Sequence, residues 1–282
     1  MTDLLSQVKI DGDGIIDFIS DLHLQSSEES TYNAWASYMR ETPATAMFIL
    51  GDFFEVWAGD DVIDNPVGEF EAECIKILKS FSRNRNLYFM AGNRDFLLQK
   101  HALESSGMKA LADPCLLQVQ DQKFVLSHGD AMCLTDVEYL KFRQMVRDER
   151  WQSQFLAQPL DARLAVAKAM RQKSEEEKSK HRSAFENSIQ SDSANSSDSK
   201  SQNESFMGLH DVDTEYASSI LEALGCETLI HGHTHRPGDY GLLGNKKRIV
   251  LSDWDASSTP KRLEVLRLQS GELKRIKLWI FN

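Results

Sequence analysis

Seven side chains in this sequence have the chemistry of hard or borderline metal ligands, and each stands in the same kind of place. Asp21 and His23 lie two apart in "SDLHL", and Asp52 follows Gly51 in "LGDFFEVW". Asn93 follows Gly92 in "AGNRD", His128 precedes Gly129 and Asp130 in "SHGD", and His233 and His235 close "LIHGHTHRP". Residues two apart project to one side of an extended chain. A glycine beside a ligand lets the backbone turn sharply and approach closely. Each signal alone is weak, because an Asp at a strand end is commonly a turn or cap residue. Their joint occurrence, in order and each after an apolar run, points to one site.

The inventory is two carboxylates, four imidazoles and one amide, with no thiolate. A structural zinc site is therefore disfavoured, and mixed nitrogen and oxygen donors suit manganese, iron or zinc. Seven groups are too many for one ion and about right for two if one carboxylate bridges. A pair of ions roughly 3.5–4 Å apart serves hydrolysis of phosphate esters and anhydrides. His231, earlier on the same run as His233 and His235, reads as a supporting residue beneath the site.

The ligands need strand ends to hold them. Apolar runs recur at 15–24, 45–54, 86–95, 123–130, 228–235 and 248–255, each closing in a polar cluster. Short runs rich in Ile, Val, Leu and Phe predict strands buried on both faces. Between them, residues 67–82 place Phe70, Cys74, Ile77, Leu78 and Phe81 at helical spacing. Alternating strands and helices imply an α/β core. In such sheets, sites form beyond the strand ends. The segments 262–268 and 273–281 flank Ser270-Gly271 and predict a terminal hairpin.

From Thr135 to about Leu224 the strand signal stops, and residues 136–224 read as a helical insertion in a single domain spanning 1–282. Thr135 and Glu138 match a capping box, and Pro159 is placed to start a further helix. Between Tyr139 and Arg182 there are eleven Lys or Arg against six Asp or Glu, a local net of +5 in a chain whose total is −11. A solvated helix face explains such a segment; so does a lid that attracts an anionic substrate or lipid surface. The serine-rich stretch 188–205 has no period and is expected to be a disordered loop. Overall acidity argues against a nucleic-acid partner. The four cysteines, Cys74, Cys115, Cys133 and Cys226, form no C-x-x-C pair and no disulfide framework. The first residues lack the pattern of a signal peptide, and no run is long enough for a transmembrane helix. A cytoplasmic location is expected.

The stretches "SDLHL", "ILGDFFEVWAGDD", "GNRDFLL", "SHGDAMCLTD" and "LIHGHTHRP" resemble the calcineurin-like metallophosphoesterases. "FEVWAGDD" and "GNRDF" are more specific, and resemble the UDP-2,3-diacylglucosamine pyrophosphatase family of lipid A biosynthesis. The resemblance covers nearly the whole core and the first part of the insertion. It implies a metallophosphoesterase β-sandwich flanked by helices, with a helical lid. It implies that Asp21, His23 and His235 hold one metal ion, that Asn93, His128 and His233 hold a second, and that Asp52 bridges them, with Mn²⁺ as the expected ion. Asp52, Asn93, Arg94 and His128 would carry the catalysis, with Asn93, Arg94 and His233 facing the substrate phosphates. Asp136 and Ser174 match substrate contacts of the family, and Lys178 and Lys180 are candidate basic lid contacts.

The implied reaction is hydrolysis of UDP-2,3-diacylglucosamine to UMP and 2,3-diacylglucosamine 1-phosphate, by metal-activated water attacking the α-phosphorus. Many relatives that cleave phosphomonoesters carry His where this chain has Arg94. A sugar phosphate leaves as a stabilised anion, so a fixed cation there is more useful than a proton donor. The acyl chains need an apolar groove, which the insertion and Trp57 are expected to border. A lipid substrate implies peripheral association with the cytoplasmic face of the bacterial inner membrane, and no protein partner is implied. The alternatives are another phosphodiesterase or phosphatase of this fold, or a non-catalytic scaffold. A scaffold would lack ligands, and none of the seven positions is missing.

Overall fold

The apolar runs form strands, and the strands form two six-stranded sheets. The computed structural model describes residues 6–171 and 211–278. The chain divides into two compact units, Met1–Met132 with Asp213–Asn282, and Cys133–Val212. Both sheets lie in the first unit.

In one sheet, β2 (Ile16–Ile19), β3 (Ala46–Leu50), β4 (Asn86–Met90) and β5 (Lys109–Leu111) run parallel. The hairpin of β11 (Glu264–Gln269) and β12 (Glu272–Lys277) adds antiparallel beside β2. Its two-residue loop is Ser270-Gly271, with φ of 51° and 78°, the left-handed pair that a tight hairpin turn requires. In the other sheet, β7 (Gln122–Ser127), β8 (Thr228–His231) and β10 (Lys247–Val250) run parallel. That sheet is completed by β1 (Ser6–Ile10), β6 (Cys115–Val119) and β9 (Gly238–Gly241). The sequence reading placed none of β1, β5, β6 or β9. They are short or half-exposed strands without a continuous apolar run.

The predicted strands overshoot the observed ones. The strands end at Ile19, Leu50, Met90, Ser127, His231 and Val250, so every polar cluster hangs from a strand end as a loop. The two sheets face each other across one core. Phe18, Phe48 and Leu50 meet Leu117, Leu126 and Ile230 there, with Ile249 beside them. Phe18, Phe48 and Tyr88 occupy one register across three strands. Their rings stack at centroid distances of 5.3 and 4.5 Å, which fixes strand order and register together.

Helices cover the outer faces. Helix α1 (Glu29–Glu41) buries Trp35 and Met39, and α2 (Glu69–Ser82) buries Cys74, Ile75, Leu78 and Phe81. The predicted face of α2 is therefore rotated slightly: Ile75 is buried, while Ile77 is only half-buried. A short α3 (Lys100–Ser106) follows β4 and ends at Gly107. In the second unit, α4 (Val137–Val146) is capped by Asp136, which accepts from the Tyr139 amide at 3.1 Å. The cap is thus Asp136 and not Thr135, one residue later than the sequence pattern suggested. Helix α5 (Glu149–Leu156) follows, and α6 begins at residue 160, directly after Pro159. Helix α7 (Thr214–Ala223) belongs to the first unit, with Ala217 and Leu221 fully buried. The second unit therefore ends at Val212, where the sequence reading ran the insertion to 224.

One buried ion pair ties α1 to its sheet. Asp17 of β2 is fully buried and pairs across the ladder with Arg267 of β11, whose Nε and Nη2 donate at 2.7 and 2.9 Å. Tyr38 Oη and Thr42 Oγ1 also donate to Asp17 Oδ2. Removing one partner of such a pair strands a buried charge. Arg267→Met is expected to destabilise the protein by about 3–5 kcal/mol in urea unfolding. A loss under about 1 kcal/mol, the range of an exposed ion pair, would show that water reaches Asp17.

Candidate metal centre

All seven candidate ligands lie in the loops beyond the ends of β2, β3, β4, β7 and β8, so both sheets contribute to one edge of the first unit. The first two loops extend the pairing of their strands. Asp21 N donates to Gly51 O at 3.1 Å, His23 N to Asp52 O at 3.0 Å, and Leu24 N to Phe53 O at 2.9 Å. This backbone ladder sets Asp21 and His23 beside Asp52.

Asp21 and Asp52 are 0% and 2% exposed. Asp21 accepts from Ser20 Oγ at 2.5 Å and from the His233 amide at 2.9 Å. Asp52 turns its two oxygens to different neighbours. Oδ1 lies 3.7 Å from His128 Nε2, and Oδ2 lies 3.9 Å from His23 Nε2. Oδ1 also accepts from the Arg94 amide at 2.8 Å. On one side, His23 Nε2 and His235 Nε2 stand 3.2 Å apart, and His235 Nε2 is 3.5 Å from Asp21 Oδ1. On the other, Asn93 Oδ1 lies 3.0 Å from both His128 Nε2 and His233 Nδ1. Asp21, His23 and His235 form one set whose donor atoms fall within 4.8 Å of each other, and Asp21, Asp52 and His128 form another.

The backbone is bent to achieve this. Asp21, His23, Asp52, His233 and His235 all have φ between 49° and 68°. That region is disfavoured for residues with a Cβ and costs on the order of 1–3 kcal/mol each. Glycines provide the clearance. A Cβ on Gly92 would lie 2.2 Å from Asp52 Oδ1, and one on Gly232 would lie 2.3 Å from Asp21 Oδ2.

Ring orientation is set by the second nitrogen. His128 Nδ1 is 2.8 Å from the Leu50 carbonyl, which can only accept, so Nδ1 carries a proton and Nε2 is the nitrogen turned to the site. His23 Nδ1 is 2.8 Å from Glu55 Oε2, which aims its Nε2 inward in the same way. His231 differs. It is fully buried, Nδ1 donates to Gly232 O at 2.9 Å, and Nε2 faces Arg248 Nη1 at 3.5 Å. Both nitrogens are engaged outside the cluster.

Two further acidic residues bear on the site, and neither has a ligand signature in the sequence. Asp95 is fully buried and accepts from the amides of Gly92, Phe53 and Phe54 at 2.8, 2.7 and 3.4 Å. It thus ties the Asn93 loop to the Asp52 loop. Burial, then the nearby Asp52 charge, pushes its carboxyl up to about 6. Glu55, 6% exposed, lies between His23 and Arg94, with Oε1 3.7 Å from Arg94 Nη1. The sequence signal for both was their place inside "FEVW" and "GNRD", next to ligands. Trp57, expected beside an acyl groove, packs on Phe54 at 4.7 Å, and its Nε1 donates to Asp60 at 3.0 Å. Asp136 lies in the second unit as a helix cap. Ser174, Lys178, Lys180 and the serine-rich stretch lie outside the described residues.

The donors fit divalent cations: nitrogen and oxygen only, convergent, and oriented by a second layer. The charges agree. Burial opposes ionisation of Asp21, but the hydrogen bond to His235 and the imidazoles of His235, His128 and His23 hold it far below the usual carboxylate range. Burial disfavours the charged form of His128, but Asp52, Asp130 and Asp21 outweigh it and raise it to about 9. Burial and then the positive His128 push His233 down to about 4.

The family profile of calcineurin-like phosphoesterases matches residues 15–237, which takes in all seven donors. Fold and site together define that class, and divalent metal use comes with it. The chain is 37% identical over 270 residues to the UDP-2,3-diacylglucosamine hydrolase of Chromohalobacter salexigens, covering 94% of this chain and 97% of that one. The hydrolase of the same name from Stenotrophomonas maltophilia is 36% identical over 259 residues, covering 90% and 94%. Within the calcineurin-like phosphoesterases, this chain belongs to the family of those hydrolases. Among solved structures, an archaeal phosphodiesterase covers 94% of this chain and 99% of its own at 12% identity, with a TM-score of 0.43.

His128 supplies a pH test. Its imidazolium must lose a proton before Nε2 can bind a cation, and in the chelated protein it holds that proton up to about pH 9. His233 is already neutral at pH 7. Metal affinity is therefore expected to rise with pH, by up to about tenfold per unit between pH 7 and 9, and to level off above. Chelator-competition titration across that range measures it. An affinity flat from pH 7 to 9 would show that His128 is neutral before metal arrives.

Proposed function

We propose that this protein hydrolyses the pyrophosphate bond of UDP-2,3-diacylglucosamine, giving UMP and 2,3-diacylglucosamine 1-phosphate in lipid A biosynthesis. The observation that carries this reading is the seven-donor cluster, in which one carboxylate, Asp52, turns an oxygen to each half. The names of the relatives at 36–37% identity support the substrate. In this reading Asp21, His23 and His235 hold one ion, Asn93, His128 and His233 the other, and Asp52 both. The expected ion is Mn²⁺. Divalent cations held by these residues would supply neutralisation of phosphoryl charge and a more acidic bound water.

The protein's own groups do the rest. Arg94 sits beside the cluster, its amide on Asp52 Oδ1 and its side chain 15% exposed. A guanidinium does not give up its proton. Arg94 therefore holds phosphoryl oxygens electrostatically and transfers no proton. The departing sugar phosphate is already a stable anion and needs none. In this reading Asn93 and His233 are the groups that contact the phosphates, and Asp136, Ser174 and Lys178 remain candidate substrate contacts. UMP release from the UDP-lipid is expected to require Mn²⁺ and to fall by on the order of 10³-fold in Asp52→Ala. In the same assay Arg94→Lys is expected to lose about 10- to 100-fold with an unchanged pH profile, because an ammonium lacks the fork geometry. Turnover of bis-p-nitrophenyl phosphate in preference to the UDP-lipid would favour a general phosphodiesterase instead.

No helix among the described residues is long and apolar enough to cross a membrane. The substrate is a lipid, and residues 139–182 carry a local net charge of +5. The proposed lipid substrate and this basic segment support peripheral binding to the anionic cytoplasmic face of the inner membrane. The protein is expected to float with vesicles containing anionic lipid and to be released by salt. Flotation equal on neutral and anionic vesicles would remove the electrostatic part of this reading.

A further inference from the structure

Two groups of opposite purpose meet at one buried carboxylate. Glu55 is 6% exposed, and its backbone is held in place independently by Glu55 N donating to Leu24 O at 3.1 Å. One oxygen, Oε2, is 2.8 Å from His23 Nδ1; the other, Oε1, is 3.7 Å from Arg94 Nη1. His23 faces the metal cluster through Nε2, and Arg94 is the cation assigned to the phosphates. We propose that Glu55 is a positioning residue that orients His23 and Arg94 together, so that the metal site and the phosphate-binding cation share one anchor. This inference rests on the metal-dependent hydrolysis proposed above.

The chemistry favours a carboxylate here over any neutral group. His128 is oriented by a backbone carbonyl, which serves one donor and carries no net charge. Glu55 faces an imidazole nitrogen at 2.8 Å on one side and a guanidinium nitrogen at 3.7 Å on the other, and a carboxylate presents a negatively charged oxygen to each. Its negative charge also raises the basicity of His23 toward a cation. It offsets part of the cost of holding Arg94 mostly buried, with a side chain 15% exposed. A glutamine of the same shape presents an NH₂ to one of the two donors, so one contact becomes a clash of donors. An aspartate keeps the charge but draws both oxygens back by one methylene.

The test separates the two effects. Mn²⁺ affinity is measured by chelator competition in the full-length wild-type protein and in E55Q, and kcat and KM for UMP release at saturating Mn²⁺ are measured in wild type, E55Q, R94K and the double variant. E55Q is expected to bind Mn²⁺ about 10- to 100-fold more weakly. At saturating Mn²⁺ it is expected to lose kcat by about tenfold, a loss that vanishes in the R94K background because the guanidinium it served is gone. Wild-type Mn²⁺ affinity in E55Q overturns the proposal, and so does a kcat loss that adds in full to that of R94K. Should E55Q fail to fold by circular dichroism, E55D replaces it, with a smaller loss expected in both readouts; unchanged affinity in E55D overturns the proposal equally. Wild-type protein that neither binds Mn²⁺ nor releases UMP would sink the proposed function itself, a failure distinct from either result for Glu55.

Discussion

The rest of this structure depends on crowding of donors. Seven lone-pair-bearing groups converge where two sheets end, close enough that His23 and His235 bring ring nitrogens to 3.2 Å and Asn93 Oδ1 touches two imidazoles at 3.0 Å. Asp21 and Asp52 are buried among them. Unpaired charges in such a place carry a desolvation cost of several kcal/mol each. Cations held between the donors would turn that cost into binding. The strained backbone at Asp21, His23, Asp52, His233 and His235 belongs to the same constraint. Such conformations persist only when the surroundings over-determine them, and here the surroundings are two rigid sheets with a shared aromatic and aliphatic core.

Behind the donors lies a layer of groups that fix orientation. The Leu50 carbonyl holds His128, Glu55 holds His23, and Asp95 gathers the amides of two loops. Each removes a rotational choice from a ligand, or from the loop that carries one. Arg94 joins this layer to the front of the site, since its amide binds Asp52 while its guanidinium faces Glu55. In the proposed reaction, the same Arg94 sets this site apart from one that protonates a leaving group. Anhydride cleavage, with an anionic leaving group, is the chemistry that a fixed cation suits.

Much of the site was legible because its ligands sit on strand ends, and strand ends are written in the sequence as apolar runs closed by glycine and a polar residue. "SDLHL", "LGDFF", "AGNRD", "SHGD" and "HGHTH" each combine a run with its ligand. Strands β1, β5, β6 and β9 were not legible, because short edge or half-exposed strands lack such runs. The roles of Glu55 and Asp95 escaped for a different reason. A buried acid and an exposed one have the same letter, and only packing makes them differ. The start of α4 shows the limit at finer grain: Thr135 and Asp136 are both good caps, and chain geometry chose Asp136.

By itself, then, the sequence determined the residue types, their order and the strand–loop rhythm that sets each donor at the end of a run, because hydrophobic periodicity and glycine placement are local properties. Only the tertiary structure decided which donors meet. Asp21 and His235 are separated by more than two hundred residues, and what brings them together is sheet order and the backbone ladder between loops. It also decided that His231, one turn of the pleat from His233, spends both nitrogens on Gly232 and Arg248 and stays out of the cluster. Whether an imidazole binds metal depends on where its lone pair is free, and that is a property of neighbours in space.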